Sequence, residues 1–285
     1  MLAARGAARA ASRRLLGSSA DAGCKRGGFR PRRIVLVRHG ESLGNLDEAV
    51  YTTTPDWMIP LTQRGIEEAM AAGRALNKLL AHPDANVFFY HSPYLRARMT
   101  LDEMVAQLDP QKVVGVREEP RISEQQFGNL QSVALMQEAK SDRNAFGRFY
   151  YRFPDGESAL DVYSRVSSFI ATVYRDVDSM RSQRVLTEET HIVMVAHGLS
   201  ARTFIMRWFQ LPVADFEKLA NQPNGSLLVM ERQQNAAGEQ WYELSQESWN
   251  LLNLHGDIDL NVVRAHGKGF GSRRLVCADA QDIDG

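Results

Sequence analysis

Ile34-Val35-Leu36-Val37-Arg38-His39-Gly40 decides the fold, and Ile192-Val193-Met194-Val195-Ala196-His197-Gly198 repeats its pattern. A short run that stays apolar at every position reads as a strand covered on both faces, which calls for a parallel sheet flanked by helices. Such sheets bind ligands in the crevice beyond the carboxyl ends of their strands. Each run hands a His-Gly pair to that end, so two histidines far apart in sequence are expected to meet in one site.

Outward from the first run, helix and strand patterns alternate. Thr62 is an N-cap for a helix reaching about residue 80. Val87-Phe88-Phe89-Tyr90 reads as a second buried strand, and Ser92-Pro93 as a cap with proline at the first helical position. A third strand is expected over 113–116, ahead of a loop over 117–130, and a helix-rich stretch over 133–153. Ser158 with Asp161 resembles a capping box, and Tyr163, Val166, Ile170, Val173 and Val177 then recur at helical spacing. A strand over 191–196 leads to a helix over 199–210, and residues 227–230 and 241–244 form a terminal hairpin. The expected fold class is α/β: a three-layer α/β/α sandwich, its central sheet mostly parallel, with helices on both faces. One domain is expected over residues 33–250, between a leader (1–32) and an extension of little periodicity (251–285).

A chain of 285 residues with 44% hydrophobic content can bury a substantial core. No stretch approaches the roughly 20 apolar residues that cross a bilayer, so no membrane association is expected. Cys24 and Cys277 support neither a disulfide framework nor a thiolate metal site, which fits a reducing compartment. The formal net charge of zero hides an asymmetry. Residues 1–33 carry nine Lys or Arg against Asp21 alone, leaving the rest with 25 basic and 33 acidic side chains. An acidic body argues against a nucleic-acid partner. The leader is Ala-, Arg- and Ser-rich, with Arg5, Arg9 and Arg13 at helical spacing, and matches an organellar transit peptide. Mitochondrion is favoured over plastid; the plain alternative is a disordered basic tail on a cytoplasmic protein.

Several motifs fall in order along these elements. They are Arg38-His39-Gly40-Glu41-Ser42-x-x-Asn45, Leu61-Thr62-x-x-Gly65, Ser92-Pro93-x-x-Arg96-x-x-x-Thr100, Glu124-x-x-x-Gly128, Pro154-x-Gly156-Glu157-Ser158 and Val195-Ala196-His197-Gly198. Together they resemble the histidine phosphatase superfamily, which includes the cofactor-dependent phosphoglycerate mutases. Residues 151–158 are most similar to a plant-type phosphoglycerate-mutase-like subgroup.

The residue chemistry points the same way. Phosphoryl transfer needs cations and hydrogen-bond donors around three equatorial oxygens, an in-line nucleophile and an acid for the leaving group. Arg38 and Arg96 offer planar, permanently charged forks for phosphate. His197 can donate from its ring and Asn45 from its amide. Gly40 and Gly198 would let the backbone approach the ligand, and Ser42 is a further phosphate contact unless it merely caps the following turn. Flanking arginines favour the neutral form of His39, which makes it the candidate nucleophile. The resemblance implies a phosphohistidine at His39 that is then hydrolysed, with Glu124 protonating the leaving oxygen and next deprotonating water. No metal and no cofactor is expected, because cationic side chains carry the charge neutralisation. The partner is a small phosphorylated substrate or a phosphoprotein, and the oligomeric state is left open.

Plainer alternatives stand beside these assignments. Glu118 and Glu119 could replace Glu124 if the loop shifts, and Glu157 and Ser158 read as a helix cap rather than substrate contacts. His91 adjoins the site but reads as structural. Asp257-x-Asp259-x-Asn261 lacks the glycine and closing acid of a calcium loop, and Gly267-x-Gly269-x-Gly271 follows no strand. His255-Gly256 and His266-Gly267 read as loop pairs. The aromatic segment 146–152 would suit either a lid or core. Gln125, Gln126 and Phe127 stand where family mutases carry arginine and tyrosine, and residues 129–139 lack a mutase-type Gly-Leu-Asn-Lys run, which favours hydrolysis over phosphoglycerate-mutase-type transfer. Rivals from other classes are a non-catalytic phospho-ligand-binding or scaffold protein and a histidine-based metal hydrolase, the latter lacking carboxylates at ligand spacing.

Overall fold

The computed structural model describes residues 30–128 and 132–254. Most of the leader, and the motifs beyond residue 254 (His255-Gly256, the acidic run at Asp257, His266-Gly267 and the glycines to Gly271), lie outside the described residues. Six strands form one sheet: β1 (Arg33–Arg38), β2 (Asn86–His91), β3 (Val113–Glu118), β4 (Thr190–Ala196), β5 (Leu227–Gln234) and β6 (Gln240–Leu244). Their order is β3-β2-β4-β1-β5-β6. The first four run parallel, and β5 and β6 close one edge antiparallel. The expected mostly parallel sheet is what the structure contains.

Successive side chains of a strand point to opposite faces. On β1, Ile34 and Leu36 join one hydrophobic cluster and Val35 and Val37 the other; on β4, Ile192 and Met194 divide from Val193 and Val195 in the same way. Both faces are covered, so no polar alternation survives in either run. Burial of each such side chain contributes about 1.5–3 kcal/mol.

Short helices α1 (Leu43–Leu46) and α2 (Val50–Thr53) and a 3-10 turn (Asp56–Met58) connect β1 to α3 (Gln63–Leu79), which with α4 (Leu95–Val105) covers one face. Thr62 Oγ1 accepts from Gly65 N at 2.9 Å and starts α3. A Cβ on Gly73 would lie 2.6 Å from the Met104 carbonyl, so the close approach of α3 to α4 needs glycine there. Helices α5 (Val133–Phe146), α6 (Ala159–Ser182), α7 (Gly198–Phe209), α8 (Val213–Lys218) and α9 (Gln246–Leu251) complete the chain, with α6 and α7 on the second face. Ser158 and Asp161 form the capping box that begins α6. No helix among the described residues is long and apolar enough to cross a membrane.

Two local expectations change. The N-cap of α4 is Tyr94 rather than Ser92: Tyr94 keeps an extended backbone, and the Ser92 hydroxyl is shared between Tyr94 N and His197 Nε2 across the sheet end. The helix-rich stretch expected over 133–153 holds one helix that stops at Phe146, where Gly147 turns the backbone to φ 106°. Beyond it the aromatic segment divides: Phe149 is buried against Tyr163 and Phe216, while Phe146 and Tyr150 are exposed.

Candidate active site

Register places the two histidines. Arg38 pairs with Ala196 across the β1–β4 ladder, so His39 and His197 leave adjacent strands at the same level. Ser92 leaves β2 beside them, its N–H donating to the Val195 carbonyl at 2.9 Å. The imidazole centroids of His39 and His197 lie 5.0 Å apart at 62°.

His39 is buried, and its hydrogen bonds fix its tautomer. Nδ1 lies 2.7 Å from the Gly40 carbonyl and Nε2 lies 3.3 Å from Arg96 Nε. A carbonyl only accepts and a guanidinium only donates, so Nδ1 carries the proton and Nε2 keeps its lone pair. Burial first, then the charges of Arg96 and Arg38, hold the His39 pKa well below its usual value despite the Gly40 contact. The ring is therefore neutral at physiological pH. His197 is held neutral in the same way, by burial and then by Arg96 and His39. Its Nε2 meets Ser92 Oγ at 2.8 Å, and its Nδ1 has no hydrogen-bond partner among the described residues.

The cations are anchored from behind. Arg96, in the first turn of α4, donates from Nη1 to the Asp56 carbonyl at 2.7 Å and to Asp56 Oδ1 at 2.8 Å. Arg38 Nη1 donates to the Gln222 carbonyl at 2.6 Å, leaving its buried Nε unpaired among the described residues. Burial lowers the Arg38 pKa, but a guanidinium remains a cation. Asn45 Oδ1 accepts from Ser42 N, Ser42 Oγ and Asn224 Nδ2, which turns its amide nitrogen the other way as a donor. Ser42, expected as a phosphate contact, is fully buried with its hydroxyl on Asn45, and so serves the turn.

Packing inside the protein constrains Gly40, which faces backbone, more firmly than Gly198, which faces the end of a side chain. A Cβ on Gly40 would stand 2.2 Å from the Gly65 carbonyl oxygen, and one on Gly198 would stand 2.0 Å from Asn221 Oδ1. Close approach is to the protein's own backbone and side chains.

Glu124 borders the same site. Its Oε1 accepts from Gln125 N at 2.9 Å and its Oε2 from Leu199 N, at the start of α7, at 3.4 Å. The loop that carries it is pinned by Arg165 on α6, which donates to the carbonyls of Arg121, Ser123 and Glu124. Glu157 completes the tie, pairing with Arg165 at 3.0 Å and accepting from Gln126 N at 3.1 Å. Glu157 therefore holds the acid loop rather than capping α6, which Ser158 does. The rival acids sit elsewhere: Glu118 is exposed on the edge strand β3, and Glu119 is clasped by Arg121 at 2.6 Å. Burial pushes the Glu119 carboxyl up, but the Arg121 hydrogen bonds outweigh it and leave the pKa lowered. His91 is half-buried, its Nδ1 on the Ser92 carbonyl.

Two cavities share Phe127 as a wall, and Glu124 lines the smaller of them. One of about 450 Å³ is lined by Tyr51, Asp56, Trp57, Tyr94, Gln126 and Asp155 among others. The other, about 300 Å³, is lined by Glu124, Arg143, Asn144, Arg148, Leu199, Arg202 and Asn221. Burial lowers the Arg202 pKa to about 10, and Arg143 Nε is buried without a hydrogen-bond partner among the described residues. Among the described residues no group of three or more His, Cys, Asp or Glu could hold a metal ion.

Asp56, Gln222 and Asn224 are contacts the sequence did not mark, while Ser92 and Thr100 belong to a motif whose individual partners it did not give. Thr100 Oγ1 accepts from Gly40 N at 3.0 Å. Asn224 Nδ2 donates to the His39 carbonyl at 3.0 Å, and Gly225, at φ 66°, donates from its N–H to the Arg38 carbonyl. The Asn221-Gln222-Pro223-Asn224-Gly225 cluster is a turn signal that could have flagged this segment, though not its partner.

The sequence profile of the histidine phosphatase superfamily (branch 1) matches residues 34–244. A phosphoglycerate mutase-like protein of Arabidopsis thaliana is 45% identical over 230 residues, covering 78% of this chain and 81% of the relative. The broad-range acid phosphatase of Saccharomyces cerevisiae is 31% identical over 289 aligned residues, covering 71% and 86%. A solved mycobacterial glucosyl-3-phosphoglycerate phosphatase superposes with a TM-score of 0.56 at 22% identity, over 75% of this chain and 97% of that one, a likeness of fold.

Proposed function

The chain belongs to the histidine phosphatase superfamily, and we propose that it hydrolyses phosphomonoesters through a phosphohistidine at His39. The observation that carries this is the His39 ring: Nδ1 tied to the Gly40 carbonyl, Nε2 bearing the lone pair, and Arg96 Nε beside it. An arriving phosphoryl group takes the donors of Arg38, Arg96, Asn45 and His197. A phosphate oxygen then replaces Nε2 as the acceptor for Arg96, and the lone pair is freed.

Nε2 attacks phosphorus as the bond to the leaving oxygen breaks, and Glu124 gives that oxygen its proton. The same carboxylate then takes a proton from water, whose oxygen attacks the phosphohistidine, releases orthophosphate and restores His39. The acid phosphatase among the relatives supports hydrolysis as the reaction class.

A mutase-type transfer is the second possibility, favoured by one feature. The cavity beside Glu124 carries Arg143, Arg148 and Arg202, cations suited to retaining an anionic intermediate. Rapid acid-free quenching with a labelled phosphomonoester, drawn from a panel of sugar phosphates, phosphoglycerates, nucleotides and phosphopeptides, is expected to trap an acid-labile, alkali-stable phosphohistidine. Full label on His39→Ala would refute the assignment. Saturable phosphate binding without turnover of any panel member would instead mark a binding or scaffold protein.

A further inference from the structure

Asp56 is absent from the groups that phosphoryl transfer calls for, yet one of them is fastened to it. Arg96 Nη1 donates to both the carboxylate, at 2.8 Å, and the carbonyl of Asp56, at 2.7 Å. The Arg96 side chain is 3% exposed and that of Asp56 26%. The guanidinium lies 4.9 Å from the Tyr94 ring centroid, so one of its faces is covered as well. A guanidinium is planar and rigid. Fixing Nη1 therefore fixes where the Nε–H points, and here it points at His39 Nε2 from 3.3 Å.

The anchor itself is built to stay. Asp56 opens the 3-10 turn Asp56–Met58, with Pro55 before it and the fully buried Ile59 after it. The Met58 N–H closes the turn on the Pro55 carbonyl at 2.8 Å. A carboxylate beside a phosphate site opposes the phosphate's charge, so its presence is unfavourable for anion binding alone. Its contribution must lie in direction rather than in attraction.

We infer that Asp56 is a positioning residue for phosphoryl transfer, holding Arg96 with its Nε aimed at the point where His39 Nε2 meets phosphorus. This rests on Arg96 serving the phosphoryl group as proposed above. Asp56 also lines the larger cavity with Trp57, so the same ion pair ties that wall to the reacting centre.

The test uses the full chain, p-nitrophenyl phosphate as substrate and orthovanadate as a probe of transfer geometry. In Asp56→Ala the cation stays near the phosphate while its aim is lost, so kcat is expected to fall about tenfold or more with KM changed less than about threefold. Orthovanadate binding by calorimetry should weaken by about tenfold. The Arg96 Nε–H resonance, identified by its loss in Arg96→Lys, should exchange with water faster in the variant than in the wild type. Asp56→Asn keeps the shape and one acceptor oxygen and should show about a threefold loss; it carries the test if the alanine variant does not fold. A folded variant of either kind within about twofold of wild type in kcat and orthovanadate affinity, with an unchanged Arg96 resonance, overturns the inference. A purely structural role would lower the melting temperature and leave the folded fraction fully active. A wild type that binds orthovanadate but turns over no phosphomonoester would sink the hydrolase proposal, and the orthovanadate comparison would still decide this one.

Discussion

His191 tests the electrostatics of this sheet without touching the site. It lies on β4 opposite Arg33 of β1 and Val87 of β2, is fully buried, and neither ring nitrogen has a hydrogen-bond partner among the described residues. Burial first, then the charges of Arg33, Arg32 and Lys112, lower its pKa from 6.5 to about 3. The folded chain keeps the ring neutral, while the unfolded chain protonates it below that ordinary value. Its contribution to stability is thus complete above pH 6.5 and is lost progressively as pH falls toward about 3. Each pH unit inside that window removes about 1.4 kcal/mol, so a change from about pH 7 to about pH 5 removes roughly 2 kcal/mol through this ring. His39 and His197, also held neutral, steepen the slope further. In His191→Leu this share disappears. Urea unfolding followed by circular dichroism at the two pH values should show the variant losing about 2 kcal/mol less than the wild type, with equal m-values. An equal loss in both proteins would refute a buried, neutral imidazole at this position.

Glu124→Gln should lower kcat on alkyl phosphates by about 10²–10⁴-fold. The deficit in the burst phase should shrink with p-nitrophenyl phosphate, whose leaving group needs no proton; an equal deficit with both substrates would exclude an acid role. Arg165→Met removes three hydrogen bonds to loop carbonyls and strands Glu157, so urea unfolding should show a loss of about 3 kcal/mol. Its orthovanadate affinity should stay near wild type, because the residue touches the acid loop and not the phosphate donors. Residues 1–32 fused to a fluorescent protein should carry it to mitochondria, whereas a diffuse cytoplasmic signal would leave the leader as a basic tail.

Much of the scaffold was legible because its causes are local or periodic. Both-face burial wrote contiguous apolar runs at β1 and β4, and side-chain caps at Thr62 and Ser158 marked helix starts three residues before the N–H groups that donate to them. Ser92 misled for a related reason: its hydroxyl suits a cap and does accept from Tyr94 N, but it also meets His197, a partner from the other half of the chain. Gly40 shows the same limit. Glycine was expected there, yet the atom that demands it is a carbonyl on α3, reached only once helix and strand meet. Asp56, Gln222 and Asn224 sit in short irregular segments, where neither spacing nor propensity records which cation or carbonyl lies opposite.

The β1–β4 register also bears on how activity arises during folding. Arg38 and Ala196 are direct neighbours in the ladder although about 160 residues separate them along the chain. Neither half of the protein alone brings the two imidazoles together. Closing that loop is an entropically costly, late-rewarded event of the kind that slows folding. Turnover regained after dilution from denaturant is therefore a clock for closure of the central ladder, and it should lag the return of helical signal.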